Sequence, residues 1–518
     1  MKKLVIALAV LVAICLIAPF GIGRLAEKRV NAGLDKLVEQ APYFKIAKRE
    51  WKGGWFKSEQ VVTVELSEAW AKAFMPPGTT EAVEKALGDE GAEPEQQVQT
   101  EAAEAGAEGE SDVAGEAEAT AEESATPAVP EIFSFTVRNE VLHGPVLGFS
   151  GLGLARVDTH VDLPEQARKG IAEVFGEKPA MQVSTRVGFF GGGTTTFKSE
   201  GRKLNTKGEG DFSYETFKLS VGMGKDGDTY DFDGKWPGFT GQGKDGSLLS
   251  MNTMTIDGDA KRVVGEVYDG DFAFKVKEFK FQQNAEAKPL VIEGAHYMGE
   301  AVTKDDLMNF ALKLGTGAIK GSAELQQANI EIKEIHYDFS VRRLHVPTID
   351  KISQSAKELY ARPMLSPADA EKAIFGPFKE HAGELLKHDP EISVDRMGFV
   401  TPDGEIVAKG VIKFVGATPE DFVGAAAMAL IGKIDADFTI EAAQKVVDKL
   451  PNGATMAGGA VDAGYAKREG DKLVCHITFK AGELLINGKP QAIPGLGGPP
   501  PGAEGPPMEG EESVEPQE

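Results

Sequence analysis

Histidine and cysteine are the residues of this chain best suited to nucleophilic chemistry, and Cys475 stands directly beside His476. A catalytic pair needs both side chains within hydrogen-bonding reach. Adjacent residues of a strand point to opposite faces, and the alternation around Cys475 predicts a strand. The other histidines are scattered: His143 lies in a Gly-Pro turn, and His336 and His345 share one strand region. We therefore interpret Cys475 as a structural cysteine.

Carboxylates are concentrated near Asp226, at a spacing that suggests calcium. An EF-hand loop needs oxygen ligands at positions 1, 3 and 5, with glycine at position 6 and glutamate at 12. Counted from Asp226, position 5 is Tyr230 and position 6 is Asp231, so the pattern fails. Hairpin turns account for Asp226, Asp228, Asp231 and Asp233 without a metal ion.

Two glycine clusters fall short of a phosphate-binding loop. Gly151 and Gly153 lack the third glycine of a dinucleotide fingerprint, and Gly191 to Gly193 are not followed by the Lys-Ser/Thr pair of a P-loop. The sequence therefore predicts no catalytic residue, no cofactor-binding residue, no metal site and no cofactor.

The segment Leu4–Ile22 decides where such a chain resides. Its 19 residues carry no charge, and as a helix they would extend about 28 Å, close to the hydrocarbon thickness of a bilayer. Lys2 and Lys3 precede it, which favours a cytoplasmic N-terminus. The alternative is a cleaved signal peptide, but Ala18-Pro19-Phe20 is a poor cleavage site. We predict an uncleaved signal anchor, one span of the inner (cytoplasmic) membrane, and a periplasmic C-terminal domain.

Most of the formal charge of −24 lies in two tracts. Residues 81–130 contain 15 Asp and Glu against one Lys, a net of −14, and residues 491–518 contain six Glu and no Lys or Arg, a net of −6. The rest is near neutral, so a nucleic-acid partner is not supported. The two acidic tracts contain too little apolar surface to bury for stable folding, and we predict disorder in residues 76–130 and 493–518.

Turn signals recur through the middle of the chain and predict an antiparallel meander. Asp-Gly pairs begin at Asp226, Asp233, Asp245, Asp257 and Asp269. The last four are 12 residues apart, and apolar and polar residues alternate between them. A change in the phase of this alternation before Phe279 predicts a bulge.

Helical patterns concentrate in the second half. Thr303-Lys-Asp-Asp306 resembles a capping box and predicts a helix to about Leu314. Further helices are predicted over 349–360, from Ser366 onward, over 418–430 and over 442–450, with a break or kink at Gly376-Pro377.

The fold class that follows is α+β: a large twisted antiparallel β-sheet with helices mainly in the C-terminal half, behind one N-terminal transmembrane helix. The predicted organisation is a signal anchor (1–23), a juxtamembrane helix and first hairpin (24–75), a disordered acidic insertion (76–130), a β meander (131–300), an α+β part of the same domain (301–492) and a disordered tail (493–518).

Four patterns in a fixed order resemble the YdgA-like family of bacterial envelope proteins. They are GGWFKSEQVVTVEL at 53–66, VLHGP at 141–145, KHDPEISVDRMGFVTPDGEIVAKG at 387–410 and GELLINGKP at 482–490. The resemblance implies anchoring or export in a Gram-negative envelope and a domain of unknown function, and it implies no catalytic residues.

Three hypotheses on function follow. The first is a non-enzymatic envelope protein that supports the envelope or binds another protein. The second is a carrier of lipid or another hydrophobic ligand, because 28 Phe against 8 Tyr and 4 Trp indicate much apolar aromatic surface. The third is a hydrolase. The predicted partners are the inner membrane through residues 4–22 and an envelope protein or a lipid; a homo-oligomer is left open.

Overall fold

The segments in which apolar and polar residues alternate are strands, and they pair into one antiparallel sheet that contains all the described strands. The computed structural model describes residues 19–67 and 134–492, except for short gaps inside 20–42, 149–150, 166–179, 205–209, 323–328, 361–366 and 419–429. Within these ranges no helix combines the length and the apolar character needed to cross a membrane.

Several predictions fall on residues outside the described ranges. They include nearly all of Leu4–Ile22, the acidic insertion 76–130, the tail 493–518 and most of the helix predicted over 418–430. The membrane anchor and the disorder of the two acidic tracts therefore stay predictions.

The elements follow one another along the chain with helices mostly in the second half. The strands are β1 (Phe44–Lys52), β2 (Lys57–Leu66), β3 (Ser134–His143), β4 (Ala155–Asp162), β5 (Gln182–Val187), β6 (Gly193–Ser199), β7 (Arg202–Leu204), β8 (Gly210–Tyr214), β9 (Phe217–Met223), β10 (Thr229–Gly243), β11 (Leu248–Val264), β12 (Val267–Gln282), β13 (Leu290–Lys304), β14 (Leu307–Thr316), β15 (Ile319–Lys320), β16 (Glu334–His345), β17 (Glu391–Thr401), β18 (Gly404–Phe414), β19 (Ile434–Ala443), β20 (Lys467–Glu469), β21 (Lys472–Lys480), β22 (Glu483–Ile486) and β23 (Lys489–Gln491). The helices used below are α1 (residues 21–35), α2 (Val346–Tyr360), α3 (Pro367–Leu386), α4 (Gln444–Lys449) and α5 (Gly453–Asp462).

Nearly every strand pairs with its predecessor and its successor in the chain, so the sheet is a meander, as predicted. The series runs from β1 to β6, continues through β9 to β14 and β16 to β19, and ends with β21 to β23. The short strands β7, β8, β15 and β20 lie at its margins. At about 4.8 Å per strand, this series of 19 described strands is roughly 86 Å wide.

Three of the Asp-Gly pairs predicted as turns lie inside strands. They are Asp233-Gly234 in β10, Asp257-Gly258 in β11 and Asp269-Gly270 in β12. A side chain at Gly258 would overlap the ring of Phe232 on the neighbouring strand. Glycine in a strand interior permits such close approach, and that use was mistaken for a turn. The pairs at Asp226 and Asp245 do lie in turns.

The helix predicted from Thr303 to about Leu314 is wrong. These residues end β13 and form most of β14, and the two strands are joined by Asp305 and Asp306. Both aspartates have positive φ angles, 51° and 59°, as the central residues of a type I′ hairpin turn do. The acidic pair suits a helix start and a tight turn equally, because short polar side chains tolerate both.

The helices of the second half agree better with the sequence. The helices predicted over 349–360 and from Ser366 are α2 and α3, and α4 lies within the predicted 442–450. Helix α3 runs through Pro377, where we expected a break or kink, and α5 was not predicted. Val346 at the start of α2 packs with Val267 and Met308, which places α2 at one end of the strands.

Candidate functional site

One row of residues crosses eleven neighbouring strands on a single face of the sheet. Directly paired residues of antiparallel strands point to the same face, so the row can be followed through the register. It runs from β9 to β21 through Leu219, Gly234, Ile256, Phe274, Tyr297, Leu314, Tyr337, Met397, Ala408, Ile440 and Cys475. We call it the central row. Its ten inter-strand intervals extend about 48 Å at ~4.8 Å each.

Two further rows lie to one side of the central row. Their residues are two and four positions away along every strand except β17, where a register shift makes the distances three and five. The first contains Val221, Phe232, Gly258, Phe272, Gly299, Leu312, Phe339, Val394, Gly410, Phe438 and Ile477, and the second contains Met223, Tyr230, Ala260, Gly270, Ala301, Phe310, Val341, Ile392, Ile412, Ala436 and Phe479. We call the three rows together the apolar face. None of its 33 positions is charged, although 26% of the chain is Asp, Glu, Lys or Arg.

Phenylalanine rings cover glycines of neighbouring strands on the apolar face. The pairs are Phe232 over Gly258, Phe272 over Gly299, and Phe438 over Gly410. A Cβ at any of these glycines would overlap the ring, so each ring occupies space that a second side chain would otherwise fill. Alternating a large ring with no side chain keeps the surface continuous, since neither gaps nor opposed bulky groups arise.

Large side chains of the central row remain accessible to solvent. Between 36% and 47% of the surface is exposed for Tyr297, Leu314, Tyr337, Met397 and Ile440. Helix α2 contacts β11, β12 and β16, and α4 contacts β18 and β19 near a turn, so neither covers the row. Exposed apolar surface of this extent marks an interaction site or a ligand groove.

Farther along the strands lies an open cleft of about 300 Å³, whose lining includes Phe212, Leu249 and Phe281. Between this cleft and the central row, the pairing of β11 with β12 omits Thr253 and Lys277, but the register is the same on both sides of them. The register shift of this strand pair lies between Arg262 and Val264, so the pairing does not show the bulge predicted before Phe279.

The opposite face of the sheet is polar. Asp231, Asp259, Asp271 and Glu300 pair in succession across β10 to β13. Partial burial, followed by the hydrogen bond and charge of Asp259, raises the pKa of Asp271 above its usual range. Because water solvates this face, the sheet separates one aqueous side from one apolar side.

Helix α1 covers the apolar side at the N-terminal end of the sheet. Ala26 is 1% exposed and packs with Val141, Ala155 and Val157, and Val30 adds to this cluster. The register connects Val141 and Val157, through β5 and β6, to Val221 in the row beside the central row. The first helix and the apolar face therefore share one side of the sheet.

Polar residues enter the line of the central row beneath α1. Gln60 and Asn139, both buried, continue that row into β2 and β3. Gln60 donates to Asn31 of α1 at 2.7 Å and accepts from Asn139 at 2.8 Å, and Thr159 donates to Asn139 at 2.7 Å. A satisfied buried network of this kind fixes one packing arrangement, because any other would leave its groups unpaired.

His143 forms a buried pair with Ser58. Its Nε2 lies 2.9 Å from the Ser58 hydroxyl and its Nδ1 lies 3.1 Å from the carbonyl oxygen of Trp55. Because a carbonyl only accepts, Nδ1 donates and Nε2 accepts from Ser58. Both side chains are 3% exposed and Gly23 of α1 lies against the ring, so this pair has the geometry of a structural contact with no access for a substrate.

His336 and His345 occupy separate polar sites. His336 is 3% exposed, and neither ring nitrogen has a hydrogen-bond partner. Burial and the charge of Arg396 lower the pKa of His336. His345 stacks on His388 with ring centres 3.9 Å apart, and burial together with His388 lowers the pKa of His345.

The remaining candidates do not converge. Cys475 lies in the central row, whereas His476 pairs with Thr439 on the polar face, so the two point apart as expected. Asp226 lies at a turn while Asp231 and Asp233 lie within β10. No cluster of three or more metal-ligating side chains occurs in the described part of the chain.

Sequence comparison matches residues 1–494 to a family described as bacterial protein of unknown function, DUF945. The chain belongs to the DUF945 family. The matched region of this DUF945 chain includes both the apolar N-terminal segment and the entire described sheet. The name YdgA-like stays a prediction. No curated protein and no solved structure matches the chain.

Proposed function

We propose that this DUF945 chain is a non-catalytic, membrane-anchored envelope protein that binds the hydrocarbon chains of lipids on its apolar face. The observation that carries the proposal is the set of 33 uncharged positions across eleven strands, whose central row exposes five large side chains to solvent. Among the three hypotheses from the sequence, the lipid carrier is the one that gives the apolar face a ligand. A hydrolase is not supported by the buried Ser58–His143 pair.

The chemistry of the apolar face favours hydrocarbon over a polar ligand. Its side-chain polar groups are limited to the hydroxyls of Tyr230, Tyr297 and Tyr337 and the thiol of Cys475. A sugar or peptide would leave its own donors and acceptors unpaired there, at about 1–3 kcal/mol for each group. An acyl chain has no such groups.

The expected affinity is modest. Burying a methylene contributes about 0.8 kcal/mol. A chain of about 14 methylenes with half of its surface on an open sheet gains roughly 5 to 6 kcal/mol, which corresponds to a Kd on the order of 0.1 mM. Such a surface would hold a lipid reversibly.

The placement in the envelope rests on the sequence. The uncharged segment Leu4–Ile22 is long enough to span a bilayer. Helix α1, which starts at residue 21, lies on the same side of the sheet as the apolar face. A periplasmic sheet anchored in the inner membrane would thus have its apolar face close to a source of lipid.

Photo-crosslinking of the full-length chain tests the proposal. A benzophenone amino acid replaces Leu314 on the apolar face or, as the matched control, Lys313 on the polar face of the same strand. Bacteria are grown with radiolabelled acetate, irradiated, and analysed by gel electrophoresis and autoradiography. We expect lipid label on the protein from position 314 and none from position 313. Equal labelling at both positions, no label at 314, or a protein-sized adduct there would contradict lipid binding.

A further inference from the structure

The apolar face is longer than a single bound lipid requires. The hydrocarbon core of a bilayer is about 30 Å thick, so one acyl chain extends about 15 Å. The central row extends about 48 Å, roughly three chain lengths. A dedicated lipid site would need only three or four of the eleven strands, and the others would be free to carry charges like the rest of the surface.

The apolar face also lacks a position where a ligand would stop. Ligand sites are normally concave and enclose most of the ligand. Here the central row is exposed to a similar degree at Tyr297, Tyr337 and Ile440, on strands β13, β16 and β19. Rings over glycines fill the intervals on β10 to β13 and on β18 and β19. A chain moving across the strands would exchange one apolar contact for an equivalent one.

The β9 end of this surface is the end nearer to the N-terminal segment. Gly23, directly after Leu4–Ile22, lies against His143 on β3. Four pairings separate β3 from β9, where the apolar face begins, a distance of about 19 Å. The far end is at β21, where Cys475 completes the central row.

We propose that the apolar face is a continuous path along which acyl chains move across the strands, from the end next to α1 toward β21. The inference rests on the proposed function and adds a direction and a mode of use to it. Lipid is transferred along the sheet, with the polar face in water and the apolar face in contact with the chains.

Blocking the middle of the path tests this inference. Benzophenone is placed at Tyr297, before the block, or at Ile440, beyond it, in the full-length chain reconstituted in vesicles of phosphatidylethanolamine and phosphatidylglycerol. The block is Leu314→Glu with Tyr337→Glu, two central-row positions between the probes. The matched control is Lys313→Glu with Asp338→Lys, the facing pair on the polar side.

We expect the block to leave lipid crosslinking at position 297 unchanged and to reduce it at position 440 by about tenfold or more, which corresponds to at least 1.4 kcal/mol. The control pair should reduce neither. In the blocked variant, a labelled fatty acid added from solution should still be crosslinked by the benzophenone at position 440. This result would show that the strands beyond the block are folded.

The two proposals fail differently. Unchanged lipid crosslinking at position 440 in the blocked variant would overturn the path and leave lipid binding intact, because each position would then load independently. Absence of lipid crosslinks at both positions in the unblocked chain would overturn lipid binding itself. Loss of crosslinking at position 297 together with position 440 would also contradict a path that begins next to α1.

Discussion

A single charge in the central row should weaken hydrocarbon binding strongly while leaving the fold intact. Leu314 is 47% exposed, so Leu314→Glu removes about 1 kcal/mol of apolar contact with a bound chain. The carboxylate must also lose part of its hydration against hydrocarbon, which costs about 1 to 2 kcal/mol more, because a flexible side chain can bend toward water. The sum of about 2 to 3 kcal/mol predicts binding that is roughly 30 to 150 times weaker.

The assay is a fluorescence titration of a palmitate that carries an anthroyloxy group, with a chain that begins at Gly21 and is checked by circular dichroism. Lys313→Glu is the control, because it introduces the same residue next to Leu314 on the opposite, polar face. Both variants should keep their free energy of unfolding within about 0.5 kcal/mol, as exposed substitutions usually do. Equal Kd values for the two variants would refute the assignment of the binding face.

Three further predictions test other parts of the molecule. Replacing residues 67–133 by a four-residue turn should preserve the fold and raise the free energy of unfolding by up to about 2 kcal/mol, because β2 and β3 pair directly and a shorter loop costs less entropy; a loss of cooperative unfolding in urea would contradict this. Asp271→Asn should stabilise the protein at pH 7 and have no effect below about pH 4. Because the pKa of Asp271 is raised in the folded protein, its contribution to stability is present below the pKa of the unfolded chain and is lost as pH rises. An equal effect at both pH values in urea titrations would exclude charge repulsion as the cause. Burial raises the pKa of Cys475, so in a Cys15→Ser background its alkylation by iodoacetamide at pH 7.5, followed by mass spectrometry, should be slower than that of a free thiol. Palmitate should slow it further, and an alkylation rate that palmitate does not change would contradict binding of the chain at this row.

The sheet could be predicted from the sequence because alternation is a local property. Phe272, Phe274 and Val276 show it without reference to any other strand. The hairpin at Asp403 and the final strands were found in the same way and agree with the structure. Helix α2 was likewise predicted over 349–360 from the local sequence alone, and the structure places it at Val346–Tyr360.

The errors arose where a residue's role depends on a distant strand. Gly258 resembles a turn residue until Phe232 is placed beside it, 26 positions earlier in the chain. Asp305 and Asp306 resemble a helix start until the register of β13 and β14 requires a reversal there. Local preference permits both structures in each case, and pairing decides between them.

The apolar face was not assembled from the sequence, although a signal for it existed. The excess of phenylalanine suggested an apolar surface, but the central row joins residues from Leu219 to Cys475 that only the register aligns. The exclusion of Cys475 with His476 as a catalytic pair needed no register, since adjacent strand residues point apart. For that reason the sequence alone could exclude the Cys475–His476 pair but could not locate the apolar face.

The meander has a consequence for the length of the protein. Because each strand of the series pairs with its neighbours in the chain, a hairpin inserted at any turn would widen the sheet by about 10 Å and leave all the other pairings in place. The distance from β1 to the last strand is thus set by the number of hairpins, as the length of a solenoid is set by its repeats. Relatives with more or fewer hairpins would have a wider or narrower sheet with the same surface chemistry.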